Sequence, residues 1–235
     1  MPHLATHAIS PDCALIRWQI TEDEPILAGH LVLTDEEAAD LARIAHPGQR
    51  LEWLACRVAL KTLVEARGQQ YTCLWKDEFG KPHLCGLQGE STAPKCRWRG
   101  NPTTADRRGE STRGHISLSH TPGWATAVWH QTRPVGLDIE PIRDQFTHVV
   151  PRVLSPSEIA DANGLPDRLA VYWCAKEALY KLYGKRQLTF REHLLVDPFP
   201  TGATVLTGHV RLLDHQETLQ IHCLHVEPGL IAVAF

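Results

Sequence analysis

The order of secondary-structure elements, which occurs twice along this chain, is the feature that most constrains its fold. Before Arg133-Pro134, hydrophobic periodicity predicts a strand, two helices and several short strands, and after it the same order is predicted again. Only the order repeats, since no residue-level repeat is visible. The sequence therefore predicts an α+β fold of two similar halves, residues 1–132 and 133–235.

In the first half, Thr34 and Glu37 have the spacing of a capping box, which predicts a helix that runs to about Ala45. A second helix is predicted at 49–66, and Gly68 behind it is typical of helix ends. The strands predicted around these helices are 13–20, 71–75, 82–87, 115–119 and 125–130, with a turn at 78–81.

In the second half, Ser155 and Glu158 have the same capping-box spacing, and Pro156 stands at the first helical position. A long helix is predicted at 167–183, ended by Gly184. The strands predicted here are 135–140, 193–196, 203–213, 218–226 and 230–235.

Composition excludes several classes of function. Lys and Arg number 24 and Asp and Glu number 27, so the formal net charge is −3, which does not favour nucleic-acid binding. No uncharged apolar run approaches the roughly 18 residues of a membrane span. The first residues also lack a basic segment followed by an apolar one. We expect a cytoplasmic protein that binds neither a membrane nor nucleic acid.

The number and spacing of the cysteines indicate the redox state of the compartment in which the protein works. The seven cysteines are an odd number, and no two of them form a Cys-x-x-Cys pair. This pattern predicts free, mostly buried thiols in a reducing compartment. The residues are Cys13, Cys56, Cys73, Cys85, Cys96, Cys174 and Cys223.

Residues 88–114 interrupt the periodic pattern with Gly, Pro, Ser and Thr. They contain six basic residues against three acidic ones. Such a composition predicts a long loop. The loop is either a solvated surface insertion or a basic flap over a phosphate-bearing ligand or an acidic partner.

In the predicted strand 135–140, alternation places Gly136, Asp138 and Glu140 on one face. Two carboxylates this close repel each other and resist desolvation unless a cation or a proton is supplied. A hard divalent ion, Mg²⁺ or Mn²⁺, would relieve the repulsion, and Gly136 would leave room for a bulky ligand. The alternative is a solvated polar face on an edge strand.

The predicted helix 167–183 carries Glu177 and Lys181 four residues apart, and therefore on one face, with Lys176 to one side. The two could form an ordinary surface ion pair worth about 0.3–0.5 kcal/mol. In the functional interpretation, Glu177 is a third carboxylate for a cation and Lys181 neutralises a phosphate oxygen.

Ser117, Ser119 and His120 lie where another predicted strand ends in a turn. Such a strand end presents backbone N–H groups and an imidazole to an anion. A serine nucleophile is a competing interpretation, but no Gly-x-Ser-x-Gly sequence surrounds either serine. We interpret His120 as a phosphate donor or a structural turn residue.

Four motifs, taken in order, closely resemble the signature of the 4'-phosphopantetheinyl transferases. They are Phe79-Gly80-Lys81-Pro82, Ser117-Leu118-Ser119-His120, the strand 135–140 and the helical segment 173–181. The resemblance is to the large, surfactin-synthetase-activating type and covers most of residues 50–197. It implies a monomer built as two similar α+β halves in a pseudo-twofold arrangement.

The resemblance also implies an activity. A 4'-phosphopantetheinyl transferase moves the 4'-phosphopantetheine group of coenzyme A to a serine of an acyl or peptidyl carrier protein and releases 3',5'-phosphoadenosine. This is holo-acyl-carrier-protein synthase activity, with coenzyme A as the substrate and Mg²⁺, or Mn²⁺ in its place, as the cofactor. The implied partner is an acyl carrier protein or a carrier domain of a fatty-acid, polyketide or nonribosomal-peptide synthase.

By motif position, the resemblance implies that Asp138, Glu140 and Glu177 are the metal ligands. The implied catalytic residues are Asp138, Glu177 and Lys181, with Lys181 on a pyrophosphate oxygen and either Glu177 or a metal-bound water as the base. The other residues implied to bind coenzyme A have three roles: Ser119 and His120 bind phosphate, Gly80, Lys81 and Pro82 flank the nucleotide, and Arg50 and Arg57 meet the 3'-phosphate.

Two other functions stay open at this point. One is a catalytically silent relative that binds a carrier protein or coenzyme A, although such a relative would not need to keep three carboxylates together. The other is a metal-dependent phosphodiesterase or nucleic-acid-processing enzyme, against which the net charge of −3 argues.

Overall fold

A computed structural model of the chain shows helices mixed with antiparallel strands, in agreement with the predicted mixture of α and β elements. Among the described residues, no helix is both long enough and apolar enough to cross a membrane. The predicted basic loop at 88–114 lies outside the described residues, apart from Gly114. The structure describes residues 4–85, 114–143, 146–185, 188–212, 215–227 and 229–235.

The chain forms two compact units. The first contains Met1–Ile116 and Pro122–Arg133, and the second contains Ser117–Thr121 and Pro134–Phe235. The predicted division at residue 132 does not assign Ser117–Thr121 to the second unit. The pseudo-twofold relation between the halves stays a prediction.

The first unit packs a long helix on an antiparallel sheet. Helix α3 (Pro47–Ala66) contacts strands β2 (Cys13–Gln19) and β6 (Trp124–His130) and buries Leu54, Val58 and Leu63, which recur near helical spacing. Within this unit the sheet has the strand order β1-β2-β6, and β3 and β4 form a separate hairpin. The helices are α1 (Glu24–Gly29), α2 (Asp35–Arg43) and α3 (Pro47–Ala66). The strands are β1 (Leu4–Ser10), β2 (Cys13–Gln19), β3 (Leu74–Lys76), β4 (Pro82–Leu84), β5 (His115–Thr121, whose first two residues belong here) and β6 (Trp124–His130).

The second unit packs its longest helix, α6, on a sheet of order β7-β11-β10-β9-β8. Leu169, Tyr172 and Leu179 of α6 are buried in the core of this unit with Ile221 and Leu230 of the sheet. The helices are α4 (Phe146–Val149), α5 (Pro156–Ala162), α6 (Pro166–Tyr183) and α7 (Phe190–His193), with a 3₁₀ turn at Val150–Arg152. The strands are β7 (Gly136–Glu140), β8 (Leu194–Val196), β9 (Val205–Leu212), β10 (His215–Val226) and β11 (Gly229–Ala234).

Both predicted capping boxes are confirmed. At the start of α2, the Thr34 hydroxyl accepts a hydrogen bond from the backbone N–H of Glu37, and the Glu37 carboxylate accepts one from the backbone N–H of Thr34. Ser155 and Glu158 make the same reciprocal pair of hydrogen bonds at the start of α5. These local hydrogen bonds satisfy N–H groups that a helix start otherwise leaves unpaired.

Gly136 allows α6 to lie directly against β7. A Cβ atom on Gly136 would lie 1.9 Å from the carbonyl oxygen of Ala178 and 2.5 Å from the backbone nitrogen of Leu182. The prediction that this glycine leaves room for a bulky ligand is therefore wrong, because the backbone of α6 fills the space. The close approach places the side chains of α6 beside the carboxylate face of β7.

Cys73 and Cys85 form a disulfide, so the prediction that all seven cysteines are free thiols is wrong. The β3-β4 register pairs Leu74 with Leu84, and one step further it brings the two cysteines opposite each other. The backbone N–H of Cys85 donates to the carbonyl of Cys73 at 3.0 Å. A search for Cys-x-x-Cys does not detect a pair that a hairpin brings together. The free, buried cysteines among the described residues are Cys13, Cys56, Cys174 and Cys223, and Cys96 lies outside those residues.

Candidate functional site

The candidate site lies on β7 and α6 of the second unit, around Asp138. This carboxylate is buried, with 4% of the residue exposed, so the alternative of a solvated edge-strand face does not hold for it. The ammonium of Lys181 donates to Asp138 Oδ1 at 2.7 Å, while 29% of the lysine side chain stays exposed. The ion pair therefore joins a buried anion to a cation that can still meet solvent or a ligand.

Strand β7 is the edge strand of its sheet, and two serines of β5 satisfy its outward-facing N–H groups. Leu137 N donates to Ser117 Oγ at 3.1 Å, and Ile139 N donates to Ser119 Oγ at 3.3 Å. Both serines are buried. Their spacing of two residues matches the spacing of the N–H groups along one edge of a strand, so the Ser-x-Ser motif fixes the backbone of β7.

Ser119 also holds the ion pair in place. Its hydroxyl donates to Asp138 Oδ1 at 2.9 Å and accepts from Lys181 Nζ at 2.9 Å. With the hydrogen bond from Ile139, its donor and both of its acceptor positions are used. The resemblance implies that Ser119 binds phosphate, whereas these contacts favour a role in orienting the two charged side chains.

Lys181 is held in its protonated form. Burial alone would lower the pKa of its ammonium group, but the charge of Asp138 and the hydrogen bond to it outweigh burial and raise the pKa. A lysine that keeps its proton cannot remove one from Ser119. The geometry therefore does not support the interpretation of Ser119 as a nucleophile.

Two more carboxylates give the site a surplus of negative charge. Burial and the nearby charge of Asp138 raise the pKa of Glu177 to about 7. The same two causes, in the same order, raise the pKa of Glu140. Neighbouring carboxylates that resist ionisation in this way are stabilised by a bound cation.

The residues fit a divalent cation in their chemistry. Asp138 Oδ2 is buried and has no hydrogen-bond partner among the described residues, so it is available as a ligand. The same described residues contain no group of three His, Cys, Asp or Glu side chains placed to hold a metal ion. Mg²⁺ often binds through one or two carboxylates, with substrate phosphates and water as its other ligands. The donor set fits that kind of site and not a preformed cage of three carboxylates.

Helix α6 makes two contacts with β7 that the sequence patterns did not reveal. Trp173 Nε1 donates to Glu140 Oε1 at 3.1 Å, and Cys174 Sγ donates to the carbonyl oxygen of Asp138 at 3.4 Å. The sequence places Trp173 in the helical segment 173–181 and gives it no role of its own. The sequence signal for a role of Trp173 in the site was its position, four residues before Glu177 and on the same helical face. Burial raises the pKa of the Cys174 thiol, so this cysteine is not reactive.

Lys176, next to Glu177 in the sequence, does not belong to the site. It is completely buried, and its Nζ lies 2.7 Å from Glu158 Oε2. The same ammonium donates to the carbonyl oxygens of Val153 at 3.1 Å and Phe190 at 2.9 Å. All three of its N–H groups are therefore used inside the protein. His120, in contrast, is exposed near the end of β5, and its predicted phosphate contact stays a prediction.

In the first unit, Arg50 and Arg57 are the arginines implied to meet the 3'-phosphate. Arg50 forms two hydrogen bonds to the Glu24 carboxylate and donates a third to the carbonyl oxygen of Leu41 at 2.8 Å. Its side chain is 26% exposed, so a ligand could reach it. A phosphate contact of Arg50 stays a prediction, and it would compete with Glu24.

Arg57 has surroundings of a different kind. The residue is buried, its Nε donates to Glu37 Oε1 at 3.2 Å, and its guanidinium lies 3.2 Å from the centroid of the Trp53 ring. Glu37 also accepts a hydrogen bond from Leu74 N at 3.3 Å. These contacts favour a structural role for Arg57 between α2, α3 and β3.

Of the predicted nucleotide-flanking residues, Gly80 and Lys81 lie in the turn of the β3-β4 hairpin, and Pro82 is the first residue of β4. Asp77 Oδ1 accepts hydrogen bonds from the backbone N–H groups of Phe79 at 3.0 Å and Lys81 at 2.9 Å. Gly80 has φ +91°, a conformation that favours glycine. Burial lowers the pKa of Lys81, although Asp77 opposes this effect. The hydrogen bonds of Asp77 and the conformation of Gly80 form this turn. Its contact with a nucleotide stays a prediction.

Comparison with known proteins finds a similarity in the second unit. A search among curated proteins gives no match for the chain. A family model does match part of it, and the matched segment begins just before β7 and contains Asp138, Glu140, Glu177 and Lys181. Residues 134–234 are similar to the 4'-phosphopantetheinyl transferase superfamily.

Proposed function

We propose that this protein transfers the 4'-phosphopantetheine group of coenzyme A to a serine of an acyl or peptidyl carrier protein and releases 3',5'-phosphoadenosine. One observation carries the proposal. The segment that matches the transferase superfamily contains a buried carboxylate, Asp138, that is paired with Lys181 through one oxygen and keeps its other oxygen without a partner among the described residues. Most buried carboxylate oxygens have a hydrogen-bond partner, so a buried oxygen without one favours a position for a ligand.

Asp138, Glu140 and Glu177 would hold Mg²⁺, or Mn²⁺, together with the pyrophosphate of coenzyme A. When bound, the ion would neutralise charge on the phosphoryl group that is attacked. This role suits a site in which three carboxylates lie close together. Burial and the charge of Asp138 raise the pKa values of Glu140 and Glu177.

The side chains of the site would bind and orient the reactants. Lys181 donates two of its N–H groups to Ser119 and Asp138, and we assign the third to a pyrophosphate oxygen. The carrier serine would attack the phosphorus that bears pantetheine, and the bond to the leaving phosphoadenosine phosphate would break. Glu177 would accept the serine proton as the base.

The remaining parts of the proposal come from the resemblance of the motifs. They are that the protein is of the large, surfactin-synthetase-activating type, that it acts as a monomer in the cytoplasm, and that its two units are similar halves. Contacts to coenzyme A are proposed for Arg50, Gly80, Lys81, Pro82 and His120. The Cys73–Cys85 disulfide would be unusual in the cytoplasm, because cytoplasmic thiols are normally kept reduced.

The test is the mass of a carrier protein after incubation with the purified protein, coenzyme A and Mg²⁺. Carriers from fatty-acid, polyketide and nonribosomal-peptide synthases are offered in parallel, each with and without a chelator. At least one should gain the mass of phosphopantetheine on its serine, and the chelator should prevent this gain. Folded protein that modifies none of the carriers would contradict the proposal, and tight coenzyme A binding without transfer would identify a silent relative.

Asp138→Asn provides the matched substitution, because it removes the charge and keeps the size of the side chain. The modification should be lost in this variant. Asp167→Asn is the control, since Asp167 is exposed in the first turn of α6. It should modify carriers at the wild-type rate.

A further inference from the structure

We propose that Trp173 is a positioning residue that holds the Glu140 carboxylate ready for a divalent cation. The inference rests on the proposed function, in which Glu140 is a metal ligand. Its structural basis is the hydrogen bond from Trp173 Nε1 to Glu140 Oε1 at 3.1 Å. The contact joins α6 to the last residue of β7, which is only partly buried.

Glu140 needs such a partner because the charge of Asp138 acts against it. Like charges on one face of a strand repel, and a flexible glutamate can relieve the repulsion by turning toward solvent. The indole N–H holds one carboxylate oxygen and carries no charge, so it does not neutralise the anion. A carboxylate has a second oxygen that can still bind a cation. Lys181 acts differently on Asp138, because it neutralises that carboxylate.

The indole itself packs against Phe190, which is in turn hydrogen-bonded to a buried lysine. Its ring stacks on Phe190 with the centroids 6.0 Å apart and an interplanar angle of 22°. The carbonyl of Phe190 accepts a hydrogen bond from the buried ammonium of Lys176 at 2.9 Å, and Lys176 is paired with Glu158. Contacts therefore run without a break from the buried ion pair to Trp173. A donor fixed in this way can fix the carboxylate that accepts from it.

Trp173→Phe separates positioning from packing, because it keeps an aromatic ring and removes the N–H group. Partners of metal ligands typically contribute about 10–100-fold to metal affinity, so we expect the variant to bind Mn²⁺ about 10–100-fold more weakly. Free Mn²⁺ is measured by electron paramagnetic resonance, with coenzyme A present and no carrier protein. Tyr180→Phe is the control, since Tyr180 packs on the same Phe190 ring at 5.4 Å. Its affinity for Mn²⁺ should equal that of the wild type.

A double-mutant cycle with Glu140→Gln distinguishes an effect that acts through Glu140 from a general loss of structure. If Trp173 acts through Glu140, Trp173→Phe should change the Mn²⁺ affinity little once Glu140 has been replaced. The same loss in both backgrounds would overturn the inference, as would wild-type affinity in Trp173→Phe. A wild-type protein that modifies carriers without binding Mn²⁺ would refute the positioning role alone, and one that neither binds Mn²⁺ nor modifies carriers would refute the proposed function as well.

Discussion

Helix α6 carries two lysines, Lys176 and Lys181. Their ion pairs differ in exposure and in whether all of the hydrogen-bonding positions of the paired groups are occupied. The pair of Lys176 with Glu158 is closed, since neither side chain is more than 1% exposed. Its ammonium uses three N–H groups, and the Glu158 oxygens also accept from the backbone N–H groups of Val196 at 2.8 Å and Ser155 at 2.6 Å. This pair has no position left for a ligand.

The pair of Lys181 with Asp138 is open. The lysine side chain is 29% exposed, and Asp138 Oδ2 has no partner among the residues that the structure describes. A buried charge costs free energy unless its hydrogen bonds are complete, so an incomplete pair indicates a ligand that completes it. The role of each lysine therefore depends on whether its ion pair has all of its hydrogen bonds made, and not on the position of the lysine in the sequence motif.

Lys176→Met should have the largest effect on stability. It removes one partner of a buried pair and leaves the Glu158 charge without compensation, which should lower the free energy of unfolding by about 3–5 kcal/mol. Urea unfolding measures the change. Replacing Glu158 by Gln in the same chain should restore part of the stability, because no buried charge is then left. A loss below about 1 kcal/mol, the range of an exposed pair, would contradict the description of this pair as closed.

Lys181→Met should mainly affect catalysis. The proposed transfer should slow roughly 10²–10³-fold, the usual effect of removing one donor that stabilises charge in a transition state. The free energy of unfolding should fall less than in Lys176→Met, because Ser119 still donates to Asp138. Carrier modification followed over time gives the rate. If Lys176→Met, assayed while folded, lost as much activity as Lys181→Met, the two lysines would not have separate roles.

Arg57→Lys extends the comparison to a closed pair in the first unit. The substitution keeps the charge beside Glu37 and removes the planar group that stacks on Trp53. We expect the free energy of unfolding to fall by about 0.5–2 kcal/mol, the worth of a cation–π contact. The apparent affinity for coenzyme A, measured by calorimetry, should not change. A weaker affinity without a loss of stability would support the phosphate contact that the motif resemblance implies.

Local hydrogen bonds and periodicity made much of the fold predictable. The capping boxes of Thr34 and Ser155 depend on partners three residues away, so the sequence pattern contains all of the information. Strand β1 and helix α1 were not predicted. Residues 4–10 show no clear alternation, and α1 has only six residues, which is too short for helical periodicity to be visible.

The candidate site was predictable only where one element carries the pattern. Alternation along β7 groups Asp138 with Glu140, and helical spacing groups Glu177 with Lys181. The partners across elements were not predictable in this way, because the pairing of Lys176 with Glu158 and of Trp173 with Glu140 depends on packing. Gly136 shows the same limit, since a glycine in a strand permits close approach without indicating what approaches.

A third charged contact of α6 gives the smallest expected effect and a test by pH. Asp161 accepts hydrogen bonds from the Tyr172 hydroxyl at 2.6 Å and from the Arg168 guanidinium. Burial alone would raise the pKa of Asp161, but these hydrogen bonds outweigh it and lower the pKa below the ordinary value of 3.8. The ionised carboxylate therefore stabilises the fold above that value, and its contribution is lost as the pH falls through the lowered pKa.

Asp161→Asn should consequently be less stable than the wild type by about 0.5–1.5 kcal/mol at neutral pH, the worth of one hydrogen bond. The difference should shrink as the pH falls below 3.8 and through the lowered pKa of Asp161, where the carboxylate of the wild type becomes protonated. Urea unfolding at several pH values measures it. Tyr172→Phe removes the hydroxyl that donates to Asp161, and it should weaken this pH dependence. A difference that stays constant over the same range would show that the charge of Asp161 does not contribute to the stability.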